Sequence, residues 1–253
     1  MQPPTIIKIE SLNNGPFAEV VCYPRTTPKE MENRIAQLRS LGVLALEFSG
    51  NSAAFKFPVL GKGYVGVVAV AHVHGERWAI KMRRSDADRK SLEPEARLLI
   101  KANSVEVGPK FVAATKDFLL MQLIEGKIFP SWVEKQRDRD VLRDVLRDVL
   151  EQCWRLDEAG LDHGELSKAP KHIIVDSYLQ PWIVDFETAS NIRKPANVPA
   201  ICQYLFMSLG QTTKNIADIL GERNRDEIIK AIRAYKKEKT HETLDVLVKA
   251  CLY

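Results

Sequence analysis

Gly-Lys-Gly-Tyr-Val-Gly-Val-Val, residues 61–68, is the stretch of sequence that decides the fold. It matches the pattern G-x-G-x-x-G-x-V at every fixed position, with Gly61, Gly63, Gly66 and Val68 in the fixed places. Glycines let a backbone approach a triphosphate closely and present its N–H groups without an intervening side chain. A dinucleotide-binding turn shares the glycine spacing, but it needs a strand, the glycines and a helix in that order. Because β-rich sequence lies on both sides here, the pattern favours a hairpin that covers phosphates.

A lysine stands at the end of the next apolar strand. Residues 79–81 read Ala-Ile-Lys, the strand motif whose lysine pairs with ATP phosphates. A lysine in such a place is often a surface residue with its stem on apolar surface, but the preceding glycine loop favours the phosphate role for Lys81. On the helix that follows, Glu95 is the expected ion-pair partner of Lys81. Glu93 is the competitor, and Glu95 is preferred because Pro94 fits the first turn of that helix.

The apolar residues 118–124, followed by Glu125 and Gly126, are typical of the last strand of a kinase N-terminal lobe that runs into a hinge. We expect backbone groups near Gln122 and Ile124 to meet the adenine edge of ATP. Side-chain identity matters less at such positions, because the contacts are made by the main chain.

A second block of motifs lies further along the chain. Residues 162–167 read Asp-His-Gly-Glu-Leu-Ser, and residues 183–187 read Ile-Val-Asp-Phe-Glu. Phosphoryl transfer needs one carboxylate near the nucleophilic hydroxyl and a second on the Mg²⁺ that bridges the phosphates. Glu165 and Asp185 can supply this pair.

Together these motifs span residues 59–190 and resemble the atypical kinase branch that contains the RIO kinases and the small KEOPS-complex kinase. In that branch His-Gly-Asp-Leu-Ser/Thr stands at the catalytic loop, and residues 95–99, 107–109 and 124–126 are also similar to it. The resemblance implies an α+β, bilobal protein-kinase-like fold with a β-rich N-lobe and a helical C-lobe. It also implies ATP and Mg²⁺ as cofactors.

Three residues depart from the pattern of that branch. Glu165 takes the place of the catalytic aspartate, which keeps the carboxylate but moves it outward by one methylene. The asparagine that would bind the second metal ion is replaced by Pro170 on a strict count, or by His172 when the following strand is matched. Glu187 replaces the glycine after Asp185 and Phe186, where it can bind metal or make a local hydrogen bond. Asp185, His172 and Glu187 are therefore the candidate metal ligands.

A narrower resemblance concerns the acceptor. Five stretches look like a small archaeal group that includes an RNA kinase acting on a ribose 2′-hydroxyl of tRNA: residues 163–167, 171–174, 185–190, 193–198 and 203–206. This resemblance implies that tRNA is the acceptor, and no DNA partner is expected. The short interval between Asp185 and the next helix leaves no room for the long peptide platform of typical protein kinases.

Basic residues give modest support for RNA. Four lie in or beside the second block of motifs and are candidate substrate-binding residues: Lys168, Lys171, Arg193 and Lys194. They can hold the phosphates of a nucleic-acid backbone, or equally screen the triphosphate of ATP. The basic residues between 223 and 239 are as readily a solvated helical face as a nucleic-acid contact.

Two other functions stay open beside the RNA kinase. One is a protein serine/threonine kinase or ATPase of the RIO or KEOPS type. The other is a pseudokinase that binds ATP as an interaction module, which the departures at Glu165 and at the missing asparagine favour. Lys81, Glu95 and Asp185 are all present, and this favours an active enzyme.

The pattern of elements predicts three regions. Residues 1–57 form a strand-strand-helix-strand-strand module, with its second strand at residues 17–23. Residues 58–125 form the N-lobe, and residues 126–253 form the helical C-lobe. Within the C-lobe, residues 131–159 are predicted as a strongly helical segment.

Composition predicts a globular protein, and the lack of a membrane span or secretory signal in the sequence predicts a cytoplasmic one. With 45% hydrophobic residues, the 253-residue chain can bury a sizeable core, and its net charge of +4 decides little about partners. No apolar stretch approaches the roughly 20 residues that a membrane span needs. The first residues lack the basic and apolar regions of a secretory signal.

Overall fold

The computed structural model describes residues 4–13, 16–168 and 170–253 of the chain. The strands are β1 (Thr5–Lys8), β2 (Val43–Phe48), β3 (Ser52–Ala54), β4 (Phe57–Val59), β5 (Gly61–Lys62), β6 (Gly66–Val73), β7 (Glu76–Arg83), β8 (Phe111–Ala114), β9 (Phe118–Gln122), β10 (Gly126–Ile128), β11 (Ile173–Asp176) and β12 (Pro181–Ile183). The α-helices are α1 (Phe17–Val21), α2 (Pro28–Ser40), α3 (Glu93–Asn103), α4 (Phe129–Val133), α5 (Arg139–Glu158), α6 (Asn197–Cys202), α7 (Gln211–Leu220), α8 (Arg225–Lys237) and α9 (His241–Leu252). The predicted α+β class, with a β-rich N-terminal part and a helical C-terminal part, is confirmed.

The described chain forms two compact units. Unit 1 contains the chain up to Arg97 together with Lys110–Leu123, and unit 2 contains Leu98–Pro109 and Ile124–Tyr253. The described residues before position 58 therefore lie in the same unit as the strands that follow them.

Unit 1 is built on one antiparallel sheet with the strand order β1-β2-β6-β7-β9-β8. The first residues of β6 pair with β5, whereas its later residues pair with β2. Apolar side chains from α1 and α2 pack against this sheet in a single core that includes Val20, Ile35, Phe48, Ile80 and Phe118. This core supports the middle of β6 and β7.

The N-terminal segment differs from its prediction at residues 17–23, where Phe17–Val21 form the short helix α1 and the last two residues lie in a turn. Short apolar runs fit a buried strand and a buried helix equally well, so tertiary packing decides between them. Here Val20, Val21 and Cys22 are fully buried in the core of unit 1. The predicted turn at residues 13–16 lies partly outside the described residues.

A buried arginine ties this segment to the strand that carries Lys81. Arg34 of α2 is fully buried and donates from Nη1 to the carbonyl oxygens of Val21 and Arg83, each at 2.6 Å. Arg83, the last residue of β7, donates from Nε to Oδ1 of Asp117 at 2.7 Å. These bonds fix the end of β7 within unit 1.

Unit 2 is organised around α5, whose buried face includes Leu142, Leu146, Val149 and Leu156. The helical segment predicted at residues 131–159 is interrupted before α5, because Asp138 caps that helix by accepting from the backbone N–H of Asp140 at 2.9 Å. A three-stranded antiparallel sheet, β10-β11-β12, carries the loops of the second motif block. In the described part of the chain, no helix has the length and apolar character of a membrane span.

Candidate functional site

The glycine stretch forms a hairpin in unit 1. Gly61 pairs with Val68 across β5 and β6, and Gly63 donates to the carbonyl oxygen of Gly66 at 2.9 Å. Arg84 supports the hairpin, because its backbone N donates to Val65 O at 2.7 Å and its Nη1 donates to Gly63 O at 3.1 Å. A strand-to-helix turn of the dinucleotide-binding kind is therefore excluded for these glycines.

The third glycine of the motif makes room for the lysine. A Cβ at Gly66 would lie 2.9 Å from Cγ of Lys81 and 3.1 Å from the carbonyl oxygen of Met82. A Cβ at Gly61 would meet only Val68, at the ordinary contact distance of 3.9 Å. Close packing therefore requires glycine at position 66 and not at position 61.

Lys81 and Glu95 form a buried ion pair in unit 1. Nζ of Lys81 donates to both carboxylate oxygens of Glu95, at 2.8 and 2.9 Å. The two residues are only 4% and 3% exposed, whereas the competitor Glu93 is exposed. The pair holds the ammonium group beside the hairpin residue Gly66.

The predicted hinge residues lie at the end of β9 and just beyond it. Gln122 is engaged within unit 1: its backbone N donates to Lys110 O at 2.8 Å, and its Oε1 accepts from Lys110 N at 3.2 Å. Ile124 is the first residue of the second segment of unit 2.

A β-hairpin in unit 2 brings two of the predicted metal ligands together. Ile173 pairs with Ile183, so His172 before β11 and Asp185 after β12 lie at the same end of the hairpin. The ligand atoms of Glu165, His172 and Asp185 all lie within 4.8 Å of one another. Oε2 of Glu165 is 3.7 Å from Nδ1 of His172. One nitrogen and two carboxylates therefore face a common point.

The sequence left open whether Pro170 or His172 replaces the asparagine of the family pattern, and His172 is the one that lies in this cluster. Pro170 lies in the turn before β11 and carries no ligand atom on its side chain. Glu187, the third predicted ligand, is half-buried beyond Phe186 and is not one of the three clustered residues.

Aromatic packing fixes the segment that carries Asp185. Phe186 is 2% exposed and its ring centroid lies 5.1 Å from that of His163. Gly108, at φ +81°, makes space for this ring, because a Cβ there would lie 2.7 Å from Cε2 of Phe186. Burial, with a smaller contribution from His172, lowers the pKa of His163 from 6.5 to about 4. The neutral ring donates from Nε2 to the carbonyl oxygen of Val184 at 3.1 Å.

Arg193, predicted to bind substrate, also braces the loop that carries Glu165. Its Nε donates to Oδ2 of Asp162 at 2.7 Å, and its Nη2 donates to Thr188 O at 2.6 Å. Gly164, at φ +90°, has no room for a Cβ, which would lie 2.5 Å from Nη2 of Arg193. Half of the arginine side chain, 51%, stays exposed and can still contact a phosphate.

Two buried residues that the sequence reasoning missed position the same loop. The Oδ1 atom of Asn197 accepts from the backbone N of His163 at 2.8 Å, and Asp157 accepts from Nδ2 of Asn197 at 2.8 Å. The hydroxyl of Tyr235 also donates to Asp157, at 2.9 Å. The available signal was a carboxylate at position 157 on the mostly apolar face of α5.

The other candidate substrate residues are exposed lysines. Lys168 ends a short 3-10 helix, and Lys171 precedes His172. Lys194 lines a cavity of about 190 Å³ together with Lys236 and Lys239. The fold thus gathers lysines from two distant parts of the sequence around one opening.

Some of the basic residues between 223 and 239 serve the fold instead. Arg223 donates to the carbonyl oxygens of Leu220 and Leu252, at 2.9 and 3.2 Å, and so caps two helices. Arg225 donates to Met207 O at 2.8 Å. The other basic residues of α8 are exposed to solvent: Lys230, Arg233, Lys236 and Lys237.

The donor groups fit the cofactors of a phosphotransferase. Mg²⁺ prefers oxygen ligands, which Glu165 and Asp185 can supply, and a lysine beside a glycine hairpin suits ATP phosphates. Each unit thus carries an element typical of protein-kinase-like enzymes.

Comparison with known families agrees with this class. The sequence profile of the RIO domain matches residues 66–201, more than half of the chain. The chain therefore belongs to the RIO domain family of atypical ATP-using kinases, which typically act with Mg²⁺. No curated protein sequence matches the chain.

Proposed function

We propose that this protein transfers the γ-phosphate of ATP to a ribose 2′-hydroxyl of tRNA. The observation that carries the transfer reaction is the cluster of Glu165, His172 and Asp185 on one loop and hairpin of unit 2. The buried pair of Lys81 and Glu95 in unit 1 supplies the phosphate-binding ammonium group. Both features agree with membership of an ATP-using kinase family.

Each clustered side chain has a distinct role in this proposal. Asp185 and His172 would hold a divalent metal ion, which would neutralise charge on the phosphates when bound. Glu165 lies close enough to both residues to help hold the ion, and its carboxylate can also accept a hydrogen bond from the acceptor hydroxyl. Glu165 then orients that hydroxyl or removes its proton as the new P–O bond forms.

The RNA acceptor is supported by the exposed basic residues of unit 2. Lys168 and Lys171 lie between Glu165 and His172 in the sequence, and Lys194 lines a cavity together with Lys236. Lys239 lines the same cavity but is partly buried, and its Nζ donates to Pro195 O. Lysine ammonium groups hold backbone phosphates without reading sequence, which suits a folded RNA acceptor. The resemblance to the archaeal RNA kinase group narrows this acceptor to tRNA.

A protein serine/threonine kinase or ATPase is the second candidate, because membership of the RIO domain family is equally compatible with it. In that case the exposed lysines screen the triphosphate or bind a protein, and RNA receives no phosphate.

Alkaline hydrolysis of labelled RNA tests the proposed acceptor group. Alkali cleaves RNA when a 2′-hydroxyl attacks the neighbouring phosphate, and a 2′-phosphate blocks that attack. After incubation of the protein with γ-labelled ATP and tRNA, we expect the label in an alkali-resistant dinucleotide. DNA of the same sequence, which lacks the 2′-hydroxyl, should stay unlabelled. Label confined to mononucleotides or to free phosphate would contradict the 2′ assignment.

A further inference from the structure

His172 brings a nitrogen donor into a cluster whose other members offer carboxylate oxygens. Its Nδ1 is buried and has no hydrogen-bond partner among residues 4–13, 16–168 and 170–253. The same atom lies 3.7 Å from Oε2 of Glu165, and 14% of the side chain is exposed. Buried polar atoms in folded proteins are normally satisfied, by protein, water or an ion. A cation shared with Glu165 would satisfy this nitrogen.

The imidazole ring of His172 is held in this orientation by its surroundings. The ring of His163 packs edge-on against it, with centroids 5.4 Å apart. Val184 links the two histidines, because its N donates to His172 O at 2.9 Å and its carbonyl oxygen accepts from His163 Nε2 at 3.1 Å. A ring supported in this way is preorganised as a ligand.

A nitrogen ligand changes which ion the cluster prefers. Mg²⁺ is a hard ion that takes oxygen ligands and gives up its waters reluctantly. Divalent first-row transition ions bind imidazole as well as carboxylate, and Mn²⁺ shares with Mg²⁺ the preference for carboxylate oxygens. Replacing an amide oxygen ligand by an imidazole nitrogen should therefore move selectivity from Mg²⁺ towards Mn²⁺.

We propose that the cluster of Glu165, His172 and Asp185 selects Mn²⁺ over Mg²⁺ through direct ligation by Nδ1 of His172. This inference rests on the proposed function, in which the same cluster holds the ion for phosphoryl transfer. The inference adds that Nδ1 of His172 is the donor atom that makes the cluster prefer Mn²⁺ to Mg²⁺. No covalent step of the reaction changes.

Pulsed electron paramagnetic resonance of Mn²⁺ added to the full chain tests this directly. We expect hyperfine coupling from a bound imidazole nitrogen, and the coupling should change when the histidines are isotope-labelled. His172→Asn, which restores an amide ligand, should remove the coupling and weaken Mn²⁺ binding by about tenfold or more. Mg²⁺ affinity, measured by competition against Mn²⁺, should change much less.

A matched control comes from His74, which is exposed in a turn of unit 1. Its φ of +50° is a conformation that asparagine tolerates, so His74→Asn should fold normally and keep the nitrogen coupling. Absence of Mn²⁺ binding to the wild-type protein, or bound Mn²⁺ without nitrogen coupling, overturns the proposal whether or not His172→Asn folds.

The readout also separates this proposal from the proposed function. If Mn²⁺ shows nitrogen coupling but the protein labels no RNA, the proposed ligation by His172 is supported and the proposed RNA acceptor is refuted. Phosphate transfer to RNA by a protein whose Mn²⁺ lacks the coupling removes the metal assignment alone.

Discussion

Lys81 is a charged residue that the fold holds almost wholly out of water. Its two bonds to Glu95 compensate both charges, and each partner is at most 4% exposed. Removing one partner of a buried pair leaves the other charge unpaired and costs about 3–5 kcal/mol of stability. Asp185 differs because it is exposed at the surface of unit 2.

The two residues should therefore respond differently to substitution. We expect Lys81→Ala to abolish transfer and to lower the free energy of unfolding by about 3–5 kcal/mol. Asp185→Asn should abolish transfer but cost less stability than Lys81→Ala, since Asp185 is exposed and asparagine tolerates its φ of +69°. Denaturant unfolding and transfer of labelled phosphate measure the two effects.

The double variant Lys81→Met with Glu95→Leu is the control for this comparison. It removes both charges of the pair together, so it should recover much of the lost stability and none of the activity. Near wild-type turnover in Lys81→Ala or Asp185→Asn would exclude the assigned roles.

Some residues of the candidate site could be predicted from the sequence and others could not. The motifs predicted Glu165 and Asp185 as a carboxylate pair, but a count along the chain could not choose between Pro170 and His172. The pairing of β11 with β12 places His172 at the same end of the hairpin as Asp185, which the count could not show. The link from His163 to Asn197 spans 34 residues, and no local pattern encodes it.

At the scale of elements, the glycine hairpin is packed onto the strand that carries Lys81. Gly66 lies so close to Lys81 that an added Cβ would be 2.9 Å from Cγ, and the neighbouring carbonyl of Met82 cannot move aside easily. Gly61 stands in the same motif without such a contact. The two glycines therefore offer a matched pair of substitutions.

We expect Gly66→Ala to weaken ATP binding and Gly61→Ala to leave it nearly unchanged. Pushing Lys81 out of its preferred rotamer costs about 0.5–1.5 kcal/mol, which corresponds to a two- to tenfold loss of ATP affinity by about 1.4 kcal/mol per factor of ten. Titration of each variant with an ATP analogue measures the change in affinity. Equal affinities for the two variants would show that the close approach at Gly66 has no role in binding.

Elements with strong periodicity could be predicted from the sequence, whereas short ones could not. The expected helix around Glu95 is α3, and most of the helical segment predicted at residues 131–159 is α5. Residues 17–23 were wrongly predicted as a strand, because a segment of seven residues has too few turns to show a helical period.

Across the whole molecule, the basic residues divide into those that hold the fold and those that face solvent. Arg34, Arg83 and Arg223 donate to backbone carbonyls or buried carboxylates. The lysines around the cluster and on α8 are exposed, and the net charge is +4. Composition alone could not separate these groups, because it counts charges without their partners.

The destination of the γ-phosphate tests the proposed function most directly. Wild-type protein and Glu165→Gln are each incubated with γ-labelled ATP and either tRNA or a pool of proteins. We predict label on tRNA with wild-type protein, and none with Glu165→Gln. This variant should keep its ATP affinity, because the amide oxygen of glutamine can still contact the ion, but the amide cannot remove the proton of the acceptor hydroxyl. Label on protein alone, or equal labelling of tRNA by Glu165→Gln, would contradict the assignment of an RNA kinase that works through Glu165.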